Sequence, residues 1–297
     1  MKDLWAARLA RPDLTKAITC LSSKISKWTR NHDRMLHRLM CYMWGSREYE
    51  LVGHVNDPIE DLWLELYVDA DWAGDREDKY STNGGLLVLR GPNTWFPLAW
   101  ISRKQTSCSR STTESEIVAL AHSLFLEALP MMTLWDKLMM AACGRPITLK
   151  IFEDNQAAML ICESGFSTKL CHISRTHGVN TTSIKDEIDK PEISLLKIDT
   201  KLQAADVFTK GVEPQKWDAA LSMLGIRKQP LPRKGADSPT EPAGLDTNAL
   251  VSLPSQDGPP EPELASDDYT AIANTGAGAT VGSVTAFVKQ GAAASQI

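Results

Sequence analysis

Four acidic residues, Asp69, Glu116, Asp154 and Asp206, fall at the ends of expected strands or in the first turns of expected helices. Brought together in a partly dry site they would repel one another strongly, and such a cluster is tolerated mainly when divalent cations neutralise it. Oxygen donors with few histidines favour Mg2+ or Mn2+ over zinc. Two such ions about 4 Å apart activate a water, hold a phosphate and stabilise a leaving oxygen in an in-line displacement. The chemistry within reach is metal-assisted phosphodiester hydrolysis. Singly, an acid at a helix start is a cap or a solvated charge. Only the set of four points to a metal site.

The elements that must position these acids lie between Asp61 and Ile226. Leu62–Ala70 alternates and is rich in Leu, Tyr and Val; Gly84–Arg90 is a second strand; Trp95–Ser102 follows the Gly91-Pro92-Asn93 turn. A long helix from about Thr113 to Met140 opens on Ser/Thr-x-x-Glu boxes at Ser111/Glu114 and Thr113/Glu116, with a break or kink expected at Pro130. Then come a strand (Ile147–Glu153), a helix opening at Asp154–Gln156, a polar stretch, a strand (Glu192–Ile198) and a helix from Gln203 ending near Gly225. The order is βββαβαβα, an α/β fold with a mixed five-stranded sheet flanked by helices. In such sheets, ligands sit where strand ends and helix starts converge.

Upstream, residues 1–60 carry helical spacing and read as two helices joined near Asn31-His32-Asp33. Residues 1–50 hold ten Lys/Arg against five Asp/Glu, whereas residues 235–297 hold eight acids against Lys289 alone. The net charge of −5 over 297 residues therefore averages a basic start with an acidic end and gives no global signature of nucleic-acid binding. Residues 229–297, rich in Pro, Gly, Ala, Ser and acids, are expected to be a disordered tail. Nothing at the start reads as a secretory signal, and the apolar run Ile117–Cys143 is interrupted by His122, Glu127, Asp136 and Lys137. An intracellular protein without a membrane span is expected, acting in a cytoplasmic particle or the nucleus, with its six cysteines as free thiols.

Six segments occur in a fixed order: Tyr67-Val-Asp-Ala-Asp-Trp-Ala-Gly74, Ser81-Thr-Asn-Gly84, Ser102-Arg-Lys-Gln105, Ser111-Thr-Thr-Glu-Ser-Glu-Ile-Val-Ala-Leu120, Asp154-Asn-Gln-Ala157 and Ala205-Asp-Val-Phe-Thr-Lys210. Together they resemble the ribonuclease H domain of copia-type retrotransposon Pol polyproteins, over residues 61–228. Ala10-Arg-Pro-Asp13 and Trp44-Gly-Ser-Arg-Glu-Tyr49 resemble the segment closing the reverse-transcriptase domain of such polyproteins. The resemblance implies a ribonuclease H-like fold and two Mg2+ ions, replaceable by Mn2+, held by Asp69, Glu116, Asp154 and Asp206. It further implies endonucleolytic hydrolysis of the RNA strand of RNA–DNA hybrids, with the reverse-transcriptase domain of the same polyprotein as partner. Glu114 competes with Glu116 for the second ligand position. Glu116 fits the family pattern better because Ile117-Val-Ala-Leu120 follows it.

Substrate contacts are expected from Arg103, Lys104, Gln105, Asn155, Gln156 and Arg175, with Ser102, Thr106, Arg110 and Lys169 as further donors. Hybrid recognition would read shape and 2′-hydroxyls, so sequence preference should be low. His172 and His177, in the polar stretch, are candidates for proton transfer or product release. Tyr67-Val-Asp-Ala-Asp71 differs from the polymerase Tyr-x-Asp-Asp run by the Ala70 between its acids, which argues against polymerase activity. Gly85 stands where family members carry an aromatic residue, and His177–Ile184 lacks the basic and aromatic residues usual there. The alternative is a catalytically decayed retroelement fragment that acts only as a nucleic-acid-binding or interaction module.

Overall fold

A computed structural model describes residues 2–74 and 79–228. The expected tail, 229–297, lies outside the described residues. In chain order the regular elements are α1 (Lys2–Leu9), α2 (Thr15–Ser22), α3 (Arg30–Gly45), β1 (Tyr49–Leu51), β2 (Trp63–Asp71), β3 (Thr82–Arg90), β4 (Trp95–Lys104), α4 (Thr112–Ser123), α5 (Leu129–Cys143), β5 (Leu149–Glu153), α6 (Gln156–Ser164), α7 (Ile173–Thr176), α8 (Thr181–Ile188), β6 (Ile193–Lys197), α9 (Asp206–Thr209), α10 (Trp217–Met223) and β7 (Ile226–Lys228).

The main sheet has the order β4-β3-β2-β5-β6. β2, β3 and β4 form an antiparallel meander, while β5 runs parallel to β2 and β6 parallel to β5. β2 is central, and its residues from Leu64 to Ala70 are all buried because both faces of the sheet are covered. Leu64, Leu66 and Val68 join the core that includes Ile117, Val118, Leu120 and Leu124 from the α4 side. Tyr67 joins a second core with Leu86, Val88, Phe208 and Leu221. Each fully buried aliphatic side chain stabilises the fold by about 1.5–3 kcal/mol, so α4 is fixed against the sheet by its composition. This mixed five-stranded sheet with helices on both faces is the ribonuclease H-like arrangement expected.

Several expectations change in detail. The helix expected from Thr113 to Met140 does not break at Pro130. It runs from α4 through a π-helical turn, Leu124–Ala128, into α5. Proline has no N–H for the ladder and its ring crowds the preceding turn, and the wider π spacing just before it absorbs both faults. By length and composition Thr112–Cys143 could cross a membrane, yet half of its most apolar window is buried in this fold. The expected last helix is two, α9 and α10, separated by Lys210–Lys216, where Gly211 and Pro214 interrupt it. The polar stretch after α6 contains α7 and α8.

The N-terminal segment holds three helices rather than two. Asn31–Asp33 lies inside the first turn of α3, and the joint precedes it, because Thr29 N donates to His32 Nδ1 at 3.0 Å and closes the helix start. Arg11, Asp13, Tyr42 and Ser46 tie α1 and α2 to the end of α3: Tyr42 Oη donates to Asp13 Oδ2 at 2.7 Å and Arg11 to Ser46 Oγ at 2.7 Å. These helices also bind the sheet. Trp100 Nε1 donates to the Ala7 carbonyl at 2.8 Å, and Thr19 Oγ1 to the Ser102 carbonyl at 3.1 Å. β1 pairs antiparallel with β7, so the segment just after α3 meets the end of the described residues.

Candidate active site

Register decides where the acids emerge. β2 and β5 are parallel with Tyr67 opposite Phe152, so Asp69 and Asp154, each two residues further on, leave the sheet side by side. α4 starts close by, capped by Ser111 Oγ, which accepts from Glu114 N at 3.1 Å. Its first turns present Glu116. One oxygen from each of Asp69, Glu116 and Asp154 lies within 4.8 Å of the other two.

Asp206 is not in that trio but is coupled to it. It opens α9, which packs against β3 opposite Asp69. Gly84 allows this approach: a Cβ there would meet Thr209 Cγ2 at 2.5 Å and Phe208 Cβ at 3.1 Å. Ser102 Oγ donates to the Phe208 carbonyl at 2.6 Å and secures the same helix from β4. Lys210 Nζ then bridges Asp69 Oδ1, at 3.0 Å, and Asp206 Oδ1, at 2.9 Å. Thr209 Oγ1 donates to Asp69 Oδ2, and Thr200 Oγ1 to Asp154 Oδ2 at 2.8 Å.

Glu114 and Glu116 separate cleanly. Glu114, 1% exposed, accepts from Arg110 N at 2.9 Å and lies 3.2 Å from both His172 Nε2 and His177 Nε2. Glu116 alone faces Asp69 and Asp154. Both candidate histidines are therefore directed at Glu114, and burial lowers the pKa of His177 against the opposing pull of that carboxylate.

The electrostatics are those of crowded, buried carboxylates. Burial, followed by the charges of Glu153, Asp69 and Asp154, pushes Glu116 up to about 10. Burial, then the Asp69 charge, raises Asp206 to about 6. Glu153, which the sequence reading passed over, is fully buried at the end of β5 and is raised by burial to about 8. Its Oε1 accepts from Asn155 N at 3.0 Å, while Glu153 Oε2 and Glu116 Oε2 are buried without a hydrogen-bond partner. Two orphaned carboxylate oxygens beside an all-oxygen trio fit hard divalent cations, which would supply the missing positive partner. Lys210 was also passed over, although it closes the quoted Ala205–Lys210 segment. Glu153 could have been flagged too, because the period of β5 places it with buried Leu149 and Ile151.

The other expected contact residues are differently disposed. Arg103, Gln156 and Arg175 are exposed. Lys104 lies over the Tyr80 ring, 5.5 Å from its centre. Asn155 caps α6 by accepting from Ala157 N and Ala158 N, both at 3.1 Å. Gln105 is buried: Nε2 donates to Asn83 Oδ1 at 2.6 Å and to the Ser115 carbonyl at 3.0 Å, and Oε1 accepts from Ser109. Gly85 suits its place, because a Cβ there would meet Ser123 Oγ of α4 at 2.5 Å. All six cysteines are free thiols.

No family model matches the chain. Its relatives are retrovirus-related Pol polyproteins of copia-type transposons, as the six motifs suggested. It is 27% identical over 221 residues to the Pol polyprotein from transposon RE1 of Arabidopsis thaliana, and 26% identical over 225 residues to that from transposon TNT 1-94 of Nicotiana tabacum. These alignments cover 74% and 75% of this chain but 14% and 16% of the relatives. Among solved structures, the ribonuclease H1 LC11, isolated from compost, aligns at 18% identity over 54% of this chain and 98% of that one, with a TM-score of 0.35.

Proposed function

We propose that the chain is a retrotransposon-type ribonuclease H that hydrolyses the RNA strand of RNA–DNA hybrids, with residues 61–228 as the nuclease domain and residues 1–60 as the end of a reverse-transcriptase segment. The observation that carries this reading is the meeting of Asp69, Glu116 and Asp154 within 4.8 Å at the ends of two parallel strands, with Asp206 joined through Lys210. The similarity to Pol polyproteins supports it.

When bound, two Mg2+ ions, replaceable by Mn2+, supply an activated water and stabilise the oxygen that leaves. Asp69, Glu116 and Asp154, whose oxygens converge, would hold them together with Asp206, and the Thr209 and Thr200 hydroxyls orient Asp69 and Asp154. Arg103, Lys104, Gln156 and Arg175 meet phosphates and sugars. Gln105 and Asn155 act from beneath, fixing the start of α4 and the start of α6 through the bonds described above. Contacts of this type carry little sequence preference.

The test is cleavage of an end-labelled RNA–DNA hybrid by the purified full chain with Mg2+, beside Asp154→Asn. The RNA strand should be cut, leaving 5′-phosphate and 3′-hydroxyl ends, and Asp154→Asn should lose at least about 100-fold in rate, as expected when a group acting on transition-state charge is removed. Equal inertness of both proteins with retained hybrid binding would favour a non-catalytic binding module. Equal cleavage by both would remove the assigned site.

A further inference from the structure

Lys210 is the one cation that touches the acid cluster among the described residues, where Asp69, Glu116, Glu153, Asp154 and Asp206 supply five carboxylates. Its position is built rather than incidental. The backbone N of Lys210 donates to the Asp206 carbonyl at 2.9 Å, closing α9, and the side chain returns over one turn to the Asp206 carboxylate. The same ammonium reaches across to Asp69 on β2. Phe208 and Thr209, the residues just before it, are held by Ser102 and Asp69.

The bridge divides the site unequally. Asp69, Glu116 and Asp154 present converging oxygens with no ammonium among them except where Lys210 touches Asp69. The Asp69–Asp206 side already has a positive charge in it. An ammonium between two carboxylates occupies the place a divalent ion would take, and both cannot sit there without severe repulsion. Lys210 also has room to leave: its side chain is 44% exposed and borders two cavities, of about 490 and 600 Å³.

We propose that Lys210 is a positioning residue that makes metal loading sequential, standing in for the second divalent ion until a substrate phosphate draws its ammonium away. The inference rests on the nuclease reading and deepens it. The free protein takes one ion, at Asp69, Glu116 and Asp154. The second site, between Asp69 and Asp206, opens when Lys210 turns toward the phosphate. The lysine thereby keeps Asp69 and Asp206 ordered in the free protein and delays assembly of the full metal pair until substrate is present.

The experiment is Mn2+ binding to the full chain without nucleic acid, followed by electron paramagnetic resonance of the free ion. Wild type should bind roughly one Mn2+ per chain and Lys210→Met about two, since removing the resident cation exposes the second site of a two-metal centre. Lys210→Arg should behave as wild type, and Asp206→Asn added to Lys210→Met should return the count to one. Lys210→Gln repeats the measurement should the methionine variant lose its fold by circular dichroism. Two ions on wild type, or one on the uncharged Lys210 variants, would overturn the proposal while leaving the nuclease reading intact. No ion on any of these proteins would overturn the metal site itself.

Discussion

Glu116→Gln should stabilise the metal-free protein while abolishing its response to Mg2+. Glu116 is 6% exposed, one of its oxygens has no hydrogen-bond partner, and burial holds its pKa far above the ordinary 4.5. Between pH 4.5 and the folded-state value, the unfolded chain has lost this proton and the folded chain retains it. Folding then requires proton uptake, so the stability contribution falls as pH rises through that window. At pH 7.5, three units above the unfolded value at about 1.36 kcal/mol each give an upper bound near 4 kcal/mol. Relaxation and water penetration reduce this, and about 1–3 kcal/mol is expected. Glutamine has the same shape and no proton to take up, and its amide can donate to the neighbouring Asp69 or Asp154 carboxylate. Thermal unfolding in EDTA should show the variant about 2–8 °C above wild type at pH 8, with the gap closing toward pH 5. Added Mg2+ should raise wild type and leave the variant unmoved. A variant less stable than wild type at pH 8 in EDTA, or a gap independent of pH, would refute the reasoning.

Mg2+ affinity, measured calorimetrically, should strengthen from pH 6 to pH 9 as Glu116, and Glu153 beside it, lose their protons to solvent and need no longer release them on binding; a flat profile would contradict the raised values of both groups. Gly84→Ala should push α9 off β3, costing about 1–3 kcal/mol in denaturant titrations and most of the cleavage activity, because the new Cβ meets the Thr209 side chain at 2.5 Å. Arg103→Ala and Arg175→Ala should each weaken binding of a hybrid to the Asp154→Asn protein evenly across sequences. Each should also lower the slope of log affinity against log salt by about 0.9 or less, whereas an unchanged slope would remove that residue from the interface.

Much of the fold was legible because its signals are local. The alternation of Leu62–Ala70, the capped start of α4 and the turn before β4 each express a period or a cap that needs no tertiary context. The acids were legible through their motifs, and the β2–β5 register then accounts for why Asp69 and Asp154 meet. What escaped depends on contacts made at a distance. The burial of Glu153 follows the β5 period, but its closeness to Glu116 and Asp154 does not, and Lys210 reads as a surface lysine until α9 folds it back over Asp69. Gln105 has the chemistry of a substrate donor, yet Asn83, Ser109 and Ser115, from three separate segments, take up its amide. The division of the final helix at Gly211 and Pro214 was visible in the residues themselves, and apolar periodicity across Val207–Leu224 masked it. The π turn before Pro130 reflects a core that keeps α4 and α5 on one course despite the missing N–H.

The most direct measurement is anomalous diffraction from crystals of the full chain grown with Mn2+. A manganese peak should lie among the carboxylates of Asp69, Glu116 and Asp154, and Glu116→Gln crystals under the same conditions should lose it. A peak only elsewhere, or Asp69, Glu116 and Asp154 oxygens well ordered around water alone, would contradict the account.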